Sequence, residues 1–505
     1  MKVLATLIKV SLILVCAQVA VFAQDATNFS STVLNLSRIN NGGSARILGL
    51  GGAQTAIGGD ISSVSSNPAG LGFFNRSEVS FSMQFNSIST SSSYLGNTRN
   101  DSKLNFNLPN LGVVIKNKGE KGKWKSQSFG VSINRMADFQ NRITYQGNTF
   151  LEITPDNRPV DFLDQAVFDT ELNGNTPSFF SDFAELAYNT FLTEVFEDAD
   201  NPGEFFVDRN ILDSQTGEPR FPTEEFPTTQ RETIDIRGAS SQFSISYGAN
   251  YDDILYIGAG IGIASFNQEV ERIFTERPIR TDLSELALTD VYEQSGIGIN
   301  ATLGIIARPV DEVLLGLSYT SPTYYTVTQD QELVLNSVFT DGDNFEDGII
   351  FEAFDYSITT PSRLKGGATI FINKNGFITG EIEYVDYTGG RLSRADDGLS
   401  FDGDNQTINT FNNAFNYRAG MEYRYDIFRL RGGFAYLNDP FNNSLNEEER
   451  QITFGAGIRK KDFYFDVAVA SVTNPESDVI PYPFAPVALV ENNRTRITFT
   501  AGFKF

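Results

Sequence analysis

The C-terminal residues of this chain alternate. Ile497, Phe499, Ala501, Phe503 and Phe505 share one face of an extended segment, and Arg496, Thr498, Thr500, Gly502 and Lys504 share the other. A period of two belongs to a β-strand, and one such face suits hydrocarbon while the other suits water. The pattern recurs from Ser77 onward, with short polar turns and longer polar loops in alternation. No later segment supplies the run of about 20 apolar residues that a membrane helix needs. Lipid satisfies no backbone groups, so strands with one lipid-facing side must close into a barrel. The fold class is therefore all-β: a transmembrane antiparallel β-barrel of about 14 strands, from Ser77–Tyr94 to Arg494–Phe505. Tight turns such as Tyr251–Ile254, Asn373–Gly376 and Arg459–Asp462 fall on the periplasmic side. Gly96–Ser102, Phe150–Arg231, Arg277–Leu288 and Arg394–Thr407 are expected as outer loops.

Met1–Ala23 reads as a cleaved secretory leader, with Lys2 and Lys9 before the apolar Val10–Ala20 and small residues at the cleavage site. Cys16, the only cysteine, lies in it, so no disulfide is expected after cleavage. The division is then 1–23 leader, 24–76 N-terminal segment and 77–505 barrel, with 150–231 as a long outer loop. The net charge of −24 argues against nucleic acid, which needs basic residues on its phosphates. The acid gathers in expected loops: Glu197–Asp200, Asp341–Asp343, Asp396-Asp397 and Glu447–Glu449. None has the spacing of a calcium loop. With no histidine in the chain, Ser/His and Cys/His pairs and His-ligated zinc or haem are excluded. No enzyme activity, catalytic residue, metal or cofactor is assigned. Glu381 and Glu383 share a strand face; they read as a polar lumen wall opposite Arg or Lys, or as an acid–base pair.

Arg46–Leu71 is rich in Gly, Ala and Ser and too poor in large apolar residues for a core strand. It is expected to wrap compactly inside the barrel, with Asn67-Pro68 opening a turn. It is not a GxGxxG loop, because Gln54 stands where the third glycine belongs. Leu48-Gly-Leu-Gly-Gly-Ala53, Gly59-Asp60 and Asn67-Pro68-Ala69-Gly70-Leu71 together resemble the N-terminal hatch of the FadL/TodX-like family, outer-membrane transporters of long-chain fatty acids and hydrophobic compounds. The aromatic C-terminus is similar to the strand by which outer-membrane barrels are recognised for assembly. The resemblance implies a monomer in the outer membrane, passing hydrophobic small molecules. Its other partners would be membrane lipid, lipopolysaccharide and the barrel assembly machinery.

Phe150–Arg231 is too long for a structureless connection. Thr176-Pro177 reads as an N-cap followed by proline in the first turn. Phe179, Phe183, Leu186, Ala187 and Phe191 then fall on one helical face, and Asn201-Pro202-Gly203 ends the segment. A weaker helix precedes it, with Val160, Leu163, Ala166 and Val167 on one side. These faces either pack over the barrel mouth or offer a greasy groove. The resemblance implies the groove, shared with Arg277–Leu288, and assigns substrate contacts to Phe179, Phe180, Phe183, Leu186 and Phe191.

The third strand, Ser126–Phe150, keeps Phe129, Val131, Ile133, Ala137, Phe139, Ile143 and Tyr145 in one parity, interrupted by Arg135. A charge facing lipid at the midplane costs roughly 2–4 kcal/mol. Either Arg135 sits at headgroup level or the strand kinks. The resemblance implies a kink over Arg135–Asn141, Asp138 included, that opens a lateral exit, with Asn67, Pro68 and Ala69 beside it. The function expected is passive uptake of hydrophobic compounds, caught by outer loops and released sideways. The alternatives are a structural or adhesive surface barrel and a porin for polar solutes.

Overall fold

Residues 29–39, 43–118, 122–149, 161–217, 225–393, 400–441, 448–482 and 485–505 are described in a computed structural model of the protein. The leader at 1–23, Val160, Asp396-Asp397 and Glu447 lie outside them. The alternating segments form one closed antiparallel barrel of 14 strands. They are β1 (Glu78–Tyr94), β2 (Asn97–Lys118), β3 (Trp124–Asp138 and Asn141–Thr149), β4 (Thr228–Tyr251), β5 (Leu255–Pro278), β6 (Leu283–Val310) and β7 (Val313–Thr320 and Tyr324–Phe339). The rest are β8 (Asn344–Thr359 and Arg363–Ile372), β9 (Gly376–Asp386 and Arg391–Ser393), β10 (Asn413–Tyr425), β11 (Phe428–Leu437), β12 (Glu449–Arg459), β13 (Phe463–Val479) and β14 (Ala488–Lys504). β1 closes on β14 from Glu78↔Lys504 to Ser93↔Leu489, so no sheet edge remains there.

The two faces separate as the sequence period requires. On β14, Thr498 and Thr500 are buried inward, while Phe503 and Phe505 are exposed outward. On β5, Ile257, Ile261 and Ile263 face out, and Asn267, Glu269 and Glu271 follow them upward. The apolar belt therefore ends partway along the strand. Spanning a membrane takes about 9–11 residues of tilted strand, so the upper turns of this 24-residue strand stand clear of it. A closed barrel with an apolar belt and no long apolar helix among the described residues is the form of an outer-membrane protein. At the opposite end, Trp124 packs on Tyr251, and Asp252, Asp253, Asn373 and Asp426 take left-handed φ values of 50–58°. Asp and Asn tolerate that conformation in tight turns.

Two expected outer loops are shorter than the sequence reading, and a third carries a helix and runs on to Asn412. β1 and β2 meet in a two-residue turn at Leu95-Gly96. Arg277–Leu288 is mostly the top of the β5–β6 hairpin, with only residues 279–282 outside the strands. Arg394–Thr407 contains the start of a short helix, Asp402–Ile408. Polar outward residues above the belt read as loop in the sequence, although their backbone is still paired.

Candidate functional site

Residues 44–74 fill the lumen near the periplasmic turns. Ser44 caps a helical turn at Ala45–Leu48 and donates to Asp60 at 2.9 Å. Another turn, Ser63–Ser66, leads into a 3-10 turn at Pro68–Phe73. The wall receives this segment through glycines. A Cβ on Gly433 of β11 would stand 2.2 Å from the Gly51 nitrogen, and one on Gly304 of β6 would stand 1.8 Å from Asn67 Oδ1. Gly51 itself has φ +68° and abuts the Phe434 backbone, so only glycine fits.

Buried charge fixes the segment further. Glu381 Oε2 accepts from the backbone nitrogens of Gln54 and Thr55, both at 2.9 Å, and its other oxygen takes Arg418 at 3.1 Å. Glu383 is bound by Arg363 at 2.9 Å and Arg418 at 2.8 Å. Arg46 lies 3.6 Å from Glu422, which also binds Arg431 at 2.8 Å. The two glutamates are thus the polar wall of the first reading. Their oxygens are held by cations and amides, which leaves no free acid–base pair.

Asn67 donates to the Thr55 carbonyl at 2.6 Å and accepts from the Ala69 nitrogen at 3.2 Å. Both bonds stay within the segment. Pro68 lies against Gly248 and Gly258 of β4 and β5, and Ala69 packs with Tyr256, Ile306 and Leu314. Asn67 makes no hydrogen bond to the kinked strand. Its neighbours Ser65 and Ser66 do border a cavity of about 50 Å³ shared with Arg135 and Met136.

β3 is bent. Its register with β4 shifts between Arg135 and Ala137, and the strand breaks at Phe139-Gln140. A one-residue bulge reverses the faces that follow. Ile143 and Tyr145 therefore point into the lumen, and Tyr145 packs on Tyr94 at 4.8 Å. They do not continue the lipid face that their parity suggested. Below the bend β2 and β3 share a regular ladder, Asn110↔Asn134 to Lys118↔Ser126. Above it no β2–β3 pairing continues, although β3 stays on β4 and β2 stays on β1. The parting point holds Pro109, which has no N–H to give to a ladder, beside a β2 bulge opposite Met83.

Side chains close this seam. Asp138 accepts from Asn86 of β1 at 3.1 Å, and from Asn105 and Asn107 of β2 at 3.0 Å each. Lys103 donates to the Ile236 carbonyl at 2.9 Å and to the Asn141 carbonyl at 3.3 Å, and pairs with Asp235. Arg99 bonds the Gln146 amide. Leu104, Phe106 and Leu108, between these residues, are exposed toward lipid, Leu104 by 72 %. The seam thus lies at membrane depth. The sequence reading singled out Arg135 and Asp138 but missed Asn86, Lys103, Asn105 and Asn107. Polar side chains are the rule on a lumen face, and Pro109 was the usable signal.

Two apolar regions flank the seam's inner side. Helix α1 (Phe29–Ser37) lies in the lumen above the plug. Its Phe29 ring meets Phe354, Tyr356 and Phe401 at 6.1, 5.4 and 5.3 Å, and Val33, Leu34 and Leu36 join the same cluster. A cavity of about 300 Å³ separates α1 from the bend, touched by Arg38, Asp138, Phe139, Tyr387 and Arg494. Above the mouth sits a lid with two helices, α2 (Phe162–Phe168) and α3 (Asp182–Asn189). The helix expected from Thr176 starts later. Thr176–Phe179 is a hairpin strand, and Asn201–Gly203 lies in the bend between Thr193–Glu197 and Phe205–Arg209. The apolar faces pack on Phe274, Leu283, Leu286 and Leu335 of the barrel rim. Leu186 is fully buried there, Phe179 and Phe183 lie at its edge, and Phe180 and Phe191 are exposed. The lid is clipped to the β5–β6 turn by Asp213, which Arg280 contacts through Nε at 2.7 Å. That guanidinium, helped by the backbone N–H groups of Gln215 and Thr216, holds the carboxyl at a pKa of about 2.

No family model matches the sequence, and no curated protein does. Solved structures do match. A Pseudomonas aeruginosa FadL homologue aligns over 92% of this chain and 99% of its own, with TM-score 0.56 and 11% identity. The Ralstonia pickettii toluene transporter TbuX aligns over 94% and 100%, with TM-score 0.52 and 14% identity. The Pseudomonas putida toluene transporter TodX aligns over 92% and 98%, with TM-score 0.50 and 13% identity. The fold is that of the FadL-type channels. At such identities the likeness extends to the barrel and its coverage, and residue roles rest on the geometry above.

Proposed function

We propose that this protein is a passive outer-membrane channel for hydrophobic small molecules, which enter past the lid and leave sideways through the β2–β3 seam. The observation that carries the reading is the pairing of a blocked lumen with a wall held by side chains alone. Straight passage is obstructed by a plug packed backbone against backbone, whereas the seam opens by breaking hydrogen bonds that side chains make. The apolar surround of α1 is the chamber where a ligand would replace Phe29, and the exposed Phe180 and Phe191 are the outer contacts. The names of the solved neighbours, a FadL homologue and two toluene transporters, support the same class of cargo. A porin for polar solutes fits poorly with the filled lumen.

Proteoliposomes containing the purified protein should take up a panel of alkanes, monoaromatics and fatty acids faster than protein-free vesicles, and sugars no faster. Equal rates for every apolar compound, with the protein confirmed folded, would remove the transport reading.

A further inference from the structure

The rim of the seam gathers exposed arginines that lack the carboxylate partner six other arginines of the outer end have. Arg209, Arg237, Arg272, Arg277, Arg280 and Arg450 each have a carboxylate within 4.0 Å. Arg99 of β2, Arg142 of β3 and Arg231 of β4 are exposed and form no salt bridge with any described residue. They lie together. Arg99 bonds Gln146, Gln146 stands directly opposite Arg231 in the β3–β4 ladder, and Arg142 lies four residues down β3 on the same outward face, about 13 Å away along the strand and within joint reach of two long side chains. Opposite residues in a ladder have Cβ atoms about 5 Å apart. Nearby acids are few: Asp235 stands opposite Arg142 in the ladder but is engaged by Lys103 and Arg237, and Asp101 lies two residues from Arg99. The guanidiniums repel one another locally, and an external anion seated among them relieves that repulsion.

Depth identifies the anion. Leu104 marks the top of the lipid-exposed run on β2, and Arg99 stands about 17 Å further along the strand, measured before tilt. That is the level of lipid headgroups. We infer that Arg99, Arg142 and Arg231 bind the phosphorylated headgroup of an outer-leaflet lipid, and that the lipid staples the rim of the β2–β3 seam. A phosphate offers oxygens to several guanidiniums at once. Arg99 is on one side of the unpaired seam and Arg142 and Arg231 are on the other, so one headgroup joins strands that no backbone bond joins. The inference concerns lipid binding alone and stands whether or not the seam passes cargo.

The test uses full-length protein in nanodiscs of phosphatidylcholine doped with bisphosphorylated lipid A, with native mass spectrometry as the readout. The probes are R99Q/R142Q/R231Q, and R391Q as a control for an exposed arginine on β9. A basic residue near an anionic surface contributes about tenfold or somewhat less in affinity, so the triple variant should lose on the order of a hundredfold in lipid A retention. R391Q should keep it. Lipid A stripped of both phosphates should dissociate from the wild type as readily as phosphatidylcholine. Equal retention by wild type and triple variant, both with normal heat-modifiable mobility, would overturn the inference. So would displacement of lipid A by millimolar inorganic phosphate, which would make this a small-anion site.

Discussion

The plug inside the barrel and the seam in its wall are held in opposite ways. At the plug, backbone lies against backbone: Gly433 touches Gly51, Gly316 touches Thr55 and Gly258 touches Pro68. Its polar groups are tied by buried carboxylates and guanidiniums. At the seam the wall's own ladder stops at Asn110↔Asn134, and Asp138, Lys103 and Arg99 bridge what is left. Backbone contacts without spare volume have no second arrangement close in energy, because packed cores resist continuous deformation. Side-chain hydrogen bonds to charged groups contribute about 1.5–3 kcal/mol each and exchange for water or for a passing headgroup. The proposed sideways route rests on this difference.

The largest effect is expected at the plug. Gly433→Val should prevent seating of residues 44–74, since its Cβ meets the Gly51 nitrogen at 2.2 Å and neither backbone can retreat. Overpacking of this kind costs about 3 kcal/mol or more. Limited proteolysis should cut the N-terminal segment of this variant and spare it in the wild type. Next comes Glu381→Leu, which leaves two buried N–H groups and Arg418 short of an acceptor; breaking a buried pair on one side costs about 3–5 kcal/mol. Conductance in planar bilayers should rise and become noisy as the plug loosens.

Asp138→Ala should act at the seam with a smaller loss of stability, about 2–3 kcal/mol, because its amide partners are left without an acceptor. Here the function should change more than the fold. Uptake of apolar compounds is expected to rise while conductance to ions stays near wild type. A rise in both would mean that plug and seam are not separate. The smallest effect concerns the lid. The Asp213 carboxyl titrates near pH 2 when clipped, below its ordinary 3.8. A depressed carboxyl stabilises the folded form fully above its unfolded pKa and loses that contribution as pH falls through the folded one. Pepsin cleavage of the lid should therefore be slow at pH 4 and quicken toward pH 2. Asp213→Asn should flatten that dependence.

Much of this was legible in the sequence because lipid imposes a strict rule. One face of each strand must be apolar, so the strand number, the closing strand and the turns of Asp252-Asp253 and Asp426 could be read from periodicity. The plug was legible as a stretch of glycines with too little bulk for a core. The seam was not. A bulge at Met136 flips Ile143 and Tyr145 without changing their spacing, and the two readings of that alternation are identical in one dimension. Lys103, Asn105 and Asn107 occupy positions that any lumen face fills with polar residues, so nothing in their chemistry marks them as bridges. The lid helix was placed too early because Thr176-Pro177 satisfies a helix start as well as it satisfies a short hairpin strand. The role of α1 was missed because Phe29–Ser37 is short, and its apolar partners, Phe354, Tyr356 and Phe401, are distant in sequence.

The most direct test locks each region in turn. Asn105 and Asp138 replaced by cysteines and joined by a short thiol cross-linker would hold the seam, and Gln54 and Glu381 treated likewise would hold the plug. Apolar uptake should fall at least about tenfold with the seam locked, return on cleaving the linker, and stay unchanged with the plug locked. The contrary result, full uptake through a locked seam and none past a locked plug, would place the route down the lumen and contradict lateral release.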